Sequence, residues 1–269
     1  MKLTPSFWTI CKLWFFYLLP FWAAVPKIGE LEEADCIFVQ AFGRNNYTDA
    51  ELGRVLWDLR TEVRLSDLDA FNLLAQRAFE PGASNRALAK YAMQRAYKYN
   101  IPIIAQWEVV FAIYQMDPNW YVSNRDLIDC LWPPKEGYFA TWHVKVLSKE
   151  RMRSRILCRP LEIAHPAMTV RAVPIIWSLG LNPVVEPISA RESTRHELWV
   201  WDQSSIQPWT RNFQAWKVRE LMGRVAHVVT HIWGVRHVIF AIKPHLSASA
   251  QQMIPGNWIR FFPPKTLTA

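Results

Sequence analysis

The chain reads as an α/β protein: a Rossmann-like parallel sheet flanked by helices, with an N-terminal hydrophobic helix ahead of it. Three observations predict this. Short apolar runs rich in strand formers alternate with helical periodicities, as a parallel sheet with crossover helices requires. Turn and capping residues stand at the joints between them. A long apolar, Trp-rich stretch precedes the first strand. The 269 residues are enough for one large core.

That stretch, residues 6–25, reads SFWTICKLWFFYLLPFWAAV and is interrupted only by Lys12 and Pro20. About 20 apolar residues span a bilayer core, and Trp8, Trp14, Tyr17 and Trp22 are of the types that favour its interfaces. Lys2 precedes the run, while Glu30, Glu32, Glu33 and Asp35 follow it. This asymmetry predicts a membrane-associated, single-pass chain with the main domain outside the cytoplasm. Counted from Leu13 alone, the run is shorter and suits an interfacial helix. A soluble cytoplasmic form, with the helix packed on the domain, is the alternative.

The layout that follows is a hydrophobic segment over 1–27, a single α/β domain over 28–245 and a Pro-containing tail over 246–269. Within the domain, Ala34–Ala41 (ADCIFVQA) is the first strand, running into the turn Phe42–Asn46. Thr48 and Asp49 can cap a helix carrying Leu52, Val55, Leu56 and Leu59, and Ser66–Phe79 reads as a second. After Pro81–Asn85, a helix over Arg86–Tyr99 is capped by Ser84 or Asn85 and ended by Asn100. Ile101–Gln106 is the second strand, Arg155–Cys158 the third and Asn182–Val185 the fourth. Thr169–Leu179 is helical, with a kink or a helix start expected near Pro174. Cys36 and Cys158 lie in apolar runs and read as small core residues.

Composition excludes several chemistries. With only 9 Gly, there is no G-x-G-x-x-G, no G-x-x-x-x-G-K-[ST] and no G-x-S-x-G; H-E-x-x-H and C-x-x-C are also absent. The sequence names no cofactor. His227 and His231 share a helix face at i, i+4 spacing but lack a third ligand, so no metal site is assigned. Charge is concentrated late: residues 205–269 carry eight cations against the single anion Glu220, and six of the 15 Trp lie from Trp199 on. Such an end suits anionic head groups or a phosphorylated ligand. Nucleic acid is not indicated, because no recognised binding motif accompanies the charge.

Ligands of open parallel sheets bind beyond the carboxyl ends of the strands. Reading those ends gives Gln40, Gly43, Arg44 and Asn45, then Gln106, Trp107 and Glu108, then Arg159, Glu162 and His165, and finally Glu186. The Gly82–Asn85 turn opens a helix whose free N–H groups could hold an anion. His165 and Glu108 are the acid/base candidates, and Arg44 or Arg171 would hold the anion. Each has a structural alternative: helix capping for Ser84, Asn85, Glu108 and His165, and a salt bridge for Arg171.

Four of these places, in this order, resemble the YdcF, SanA and ElyC family. Asp35–Gly43 (DCIFVQAFG) is similar to the family's opening strand and loop, and Gly82–Ala89 (GASNRALA) to its Ser/Thr-rich helix start. Cys158–Leu181 resembles the segment where a strand is followed by His, Arg-Ala and a helix ending Gly-Leu; Arg219–Gly223 is similar to the late Arg-Glu helix. His165 and Arg171 stand six apart where the family has three, and the family's Glu in the Ser/Thr-Asn motif is missing. The resemblance implies a Rossmann-like domain tethered in a cell envelope and binding a phosphorylated or nucleotide-like small molecule. Its cleft would include Gly43, Ser84, Asn85, Gln106, His165, Arg171 and Glu220. A non-catalytic, membrane-proximal binding or scaffold protein with a basic Trp-rich surface is the other functional reading.

Overall fold

The structure is a computed structural model that describes residues 27–43, 51, 65–133, 141–178, 181–188 and 195–221. The chain divides into two compact units, Met1–Lys217 and Val218–Ala269. In the first, four short strands form one parallel sheet: β1 (Cys36–Val39), β2 (Ile103–Gln106), β3 (Ile128–Leu131) and β4 (Pro160–Ile163). Helices α1 (Asp67–Gln76), α2 (Ala83–Tyr99), α3 (Trp107–Met116), α4 (Pro118–Asn124), α5 (Thr141–Ser154) and α6 (Pro166–Ser178) connect and follow them.

The strands are buried on both faces, which is why they read as continuous apolar runs. Ile37 and Val39 of β1 face a core shared with Phe71 of α1, Leu88 of α2 and Phe111 of α3. Cys36 and Phe38 point the opposite way, into a cluster with Val144 and Met152 of α5 and Ile176 of α6. The alternation by two residues therefore sorts one strand between two helical layers. The predicted α/β sheet flanked by helices is present.

Strand order is β3-β2-β1-β4. Successive strands step outward from β1 through β2 to β3, and β4 then returns to the other side of β1. The order reverses between β1 and β4, and this fixes where a crevice opens beyond the strand ends.

Several joints follow the sequence directly. Ser66 caps α1 by accepting the Asp69 N–H, and Asn100 ends α2 in the left-handed conformation. Others depart from it. Arg155–Cys158 is not a strand: Arg155 and Ile156 form the turn that closes α5, with Ile156 at φ 60° and 93% exposed. The strand begins at Pro160, after the Asp35 carboxylate has accepted the backbone N–H groups of Cys158 and Arg159. Of Asn182–Val185, only Val184 and Val185 make isolated bridges, to Leu161 and Ile28. Residues 117–150, whose sequence pattern is hard to read, contain β3. Helix α6 starts at Pro166, where a proline's missing N–H costs nothing, and Pro174 lies inside it. Cys36 and Cys130 are buried, but Cys158 is exposed.

Among the described residues, no helix is long and apolar enough to cross a membrane. Residues 6–25, the helix over 48–59, the His227/His231 pair and the 246–269 tail lie outside the described residues.

Candidate functional site

Buried polar side chains concentrate at the carboxyl ends of the strands. Gln40 follows β1, Gln106 ends β2, Glu108 lies in the first turn of α3 and His165 follows β4; all four are buried. Ser84 and Asn85 of α2, with Asp202, Ser205 and Thr210 from beyond β4, are buried beside them. Burying polar groups is costly unless they are bonded, so their partners matter.

Asn85 holds the loop after β1 against the start of α2. Its Oδ1 accepts the Phe42 N–H at 2.8 Å, while Nδ2 donates to the carbonyls of Gly43 at 3.0 Å and Pro81 at 2.6 Å. Gln106 ties two strand ends together by accepting the Ala41 N–H at 2.8 Å. Gly43 has φ +75°, and a Cβ there would stand 2.9 Å from Thr210 Oγ1, so backbone shape and space both call for glycine. Thr210 and Ser205 hydroxyls, hydrogen-bonded at 2.8 Å, cover this loop.

A strap, Trp199–Asp202, closes the crevice. The N-terminal N–H of α2, on Ala83, donates to Asp202 Oδ2 at 2.9 Å, and Ser84 Oγ donates to the Val200 carbonyl at 2.6 Å. Asp202 Oδ1 in turn accepts from the N–H and hydroxyl of Ser204. Gly82, rather than Ser84 or Asn85, is the N-cap residue of α2, and the capping carboxylate comes from Asp202. The helix N-terminus read as an anion site therefore holds an anion of the chain itself.

His165 lies at the centre. Its ring stacks on Phe42 with centroids 4.0 Å apart and meets the edge of Trp201 at 4.4 Å, with Trp199 at 5.3 Å. Trp216 meets Phe42 edge-on at 4.9 Å. Nδ1 accepts the Ala167 N–H, which leaves the proton of the neutral ring on Nε2. Nε2 faces the Val200 carbonyl but makes no hydrogen bond of proper geometry, and Trp201 Nε1 is a second buried N–H without one.

Burial lowers the His165 pKa to about 3. The folded protein keeps this ring neutral while the unfolded chain protonates it near 6.5, so stability is present above pH 6.5 and lost below it. Its share of the loss should be about 2 kcal/mol between pH 7 and pH 5. Urea unfolding at the two pH values should show a smaller drop for His165→Phe, and an unchanged drop would disprove the assignment.

The other sequence candidates sort as follows. Arg44 lies outside the described residues, and so does the side chain of Arg171, whose backbone belongs to α6. Glu220 is in the second unit, of which residues 218–221 are described. Arg159 stands before β4, at the amino end, where it pairs with Glu33. Glu162 is within β4, its carboxylate fully buried on Lys145 Nζ at 2.5 and 2.6 Å. Glu186 accepts the Tyr91 hydroxyl and pairs with Arg95 at 3.0 Å. Tyr91, Glu162 and Glu186, together with Thr169, His196 and Leu198, line a small indentation beside β4.

Sequence reasoning passed over Trp201, Asp202, Ser205 and Thr210. Their local signals are the Asp202–Ser204 and Ser205–Gln207 turns, in each of which the side chain accepts the N–H two residues on. Among the described residues, no group of His, Cys, Asp or Glu could hold a metal ion. No protein-family model, curated protein or solved structure matches the chain.

Proposed function

We propose that this is a Rossmann-like, YdcF-like envelope protein, held at a membrane through residues 6–25, that binds a phosphorylated or nucleotide-like small molecule. Binding takes place at the strand carboxyl ends, between β1 and β4. One observation carries the reading: polar side chains gather at the topological switch point, where His165 Nε2 meets the Val200 carbonyl and Trp201 Nε1 is buried, neither in a hydrogen bond of proper geometry. Donors and a helix N-terminus facing one crevice suit an oxyanion. His165, kept neutral, serves as a hydrogen-bond donor, which leaves Glu108 as the acid/base candidate. Arg44 and Arg171 would add positive charge. Titrating the full chain with inorganic pyrophosphate and ADP tests this: wild type should bind, and His165→Phe should bind at least tenfold more weakly. Equal binding by both would reject the crevice. A reporter fused after Val25 that is active only in the cytoplasm would reject the exported orientation.

A second reading has its own support. Ser84, Asn85 and Gln106 spend their described hydrogen bonds on the chain's backbone, and the strap fills the crevice with aromatic rings. A non-catalytic binding or scaffold protein at a membrane, using its basic Trp-rich end, would need no open crevice. Absence of binding by any phosphorylated probe would favour it.

A further inference from the structure

The sheet's crevice is occupied by the protein's own chain, and the manner of occupation says what it replaces. Two acceptors of the strap stand against three donors of the crevice. Asp202 Oδ2 takes the Ala83 N–H at the first turn of α2, and the Val200 carbonyl takes the Ser84 hydroxyl. The same carbonyl is what His165 Nε2 faces, yet no hydrogen bond of proper geometry forms there. His165 is 1% exposed, so bulk solvent does not reach that N–H. The neighbouring Trp201 Nε1 is in the same position. A buried donor held off hydrogen-bond geometry is destabilising, so the strap fits this set of donors incompletely.

We propose that the strap Trp199–Asp202 is a displaceable internal occupant of the crevice, and that an oxyanion ligand takes the places of the Asp202 carboxylate and the Val200 carbonyl. The inference rests on the small-molecule reading and deepens it. A phosphoryl or carboxylate group carries several acceptor oxygens and a charge. It can receive the Ala83 N–H, the Ser84 hydroxyl and His165 Nε2 together, which the Val200 carbonyl and the Asp202 carboxylate share between them without a well-formed bond to His165. The strap then competes with the ligand, and apparent affinity is reduced by the fraction of molecules in which the strap is seated. Releasing it also frees Trp201 from the edge of His165 and Phe42.

Three forms of the full chain decide it: wild type, Asp202→Asn and His165→Phe. Each is titrated with inorganic pyrophosphate and, separately, malonate, while amide hydrogen exchange is followed over residues 198–205. A phosphoryl site should respond to the first probe and a carboxylate site to the second. In wild type, saturating ligand should raise exchange in the strap at least tenfold. Asp202→Asn, which weakens the competing cap, should bind about tenfold more tightly, and His165→Phe at least tenfold more weakly. Should Asp202→Asn fail to fold, strap exchange in wild type is sufficient to decide between a seated and a displaced strap. Binding that His165→Phe weakens, but that leaves strap exchange unmoved and Asp202→Asn no tighter, overturns the displaceable strap and keeps the crevice site. Binding of neither probe by wild type or Asp202→Asn, or binding indifferent to His165→Phe, overturns both.

Discussion

Replacing Lys145 by Ala should cost the folded protein about 3–5 kcal/mol, because it strands the Glu162 carboxylate without its counter-charge. Lys145 Nζ lies 2.5 and 2.6 Å from the two Glu162 oxygens, and the side chains are 1% and 0% exposed. The ammonium also sits 3.7 Å from the centroid of the Phe38 ring, so no water reaches it from the sheet side. Burial lowers the Lys145 pKa to about 8 and raises that of Glu162, with desolvation outweighing mutual attraction for both. A pair in that condition contributes little net stability but is expensive to break. The double replacement Lys145→Met with Glu162→Leu should therefore return to within about 2 kcal/mol of wild type. Denaturant unfolding of Lys145→Met, Glu162→Leu and the double variant measures the coupling. A loss below about 1 kcal/mol for Lys145→Ala would contradict a buried pair.

Asn85→Ala carries the second large effect. Its side chain is 0% exposed and serves three backbone groups, on Phe42, Gly43 and Pro81. Removing it leaves one N–H and two carbonyls to be satisfied in the interior, an expected loss of about 3 kcal/mol. Asn85→Asp should be worse than Asn85→Ala. A carboxylate can still accept from Phe42, but it repels the two carbonyls that Nδ2 served and would be buried as a charge. Thermal unfolding of both variants supplies the comparison. Asp proving milder than Ala would mean that the two donated bonds matter less than the accepted one.

Much of the fold was legible because it rests on local pattern. The apolar runs at Cys36–Val39 and Ile103–Gln106 became β1 and β2, and the Ser66 and Asn100 punctuation bounded α1 and α2. What was not legible rests on distant partners. Strand β4 hides behind Glu162, a charge that argues against a buried strand until Lys145 is seen beside it. The apolar Arg155–Cys158 run looks like a strand, yet the helix-closing turn at Ile156 takes it, and β4 starts two residues later. Strand β3 is four residues long and contains Asp129, paired with Arg155 at 2.8 Å, so no apolar run announces it.

The site divides along the same line. From residue types at strand ends, the sequence by itself determined that Gln106, Glu108, His165, Ser84, Asn85 and Gly43 belong to one end of a parallel sheet, since topology puts such ends together. Only the tertiary structure decided what those residues do there. Asp202 caps a helix that begins 119 residues earlier in the chain, and the strap carrying it excludes water from His165. Partners so remote leave no periodicity or spacing to read. A side chain's charge state and its hydrogen bonds are set by the solvent and acceptors around it, which only the folded chain supplies.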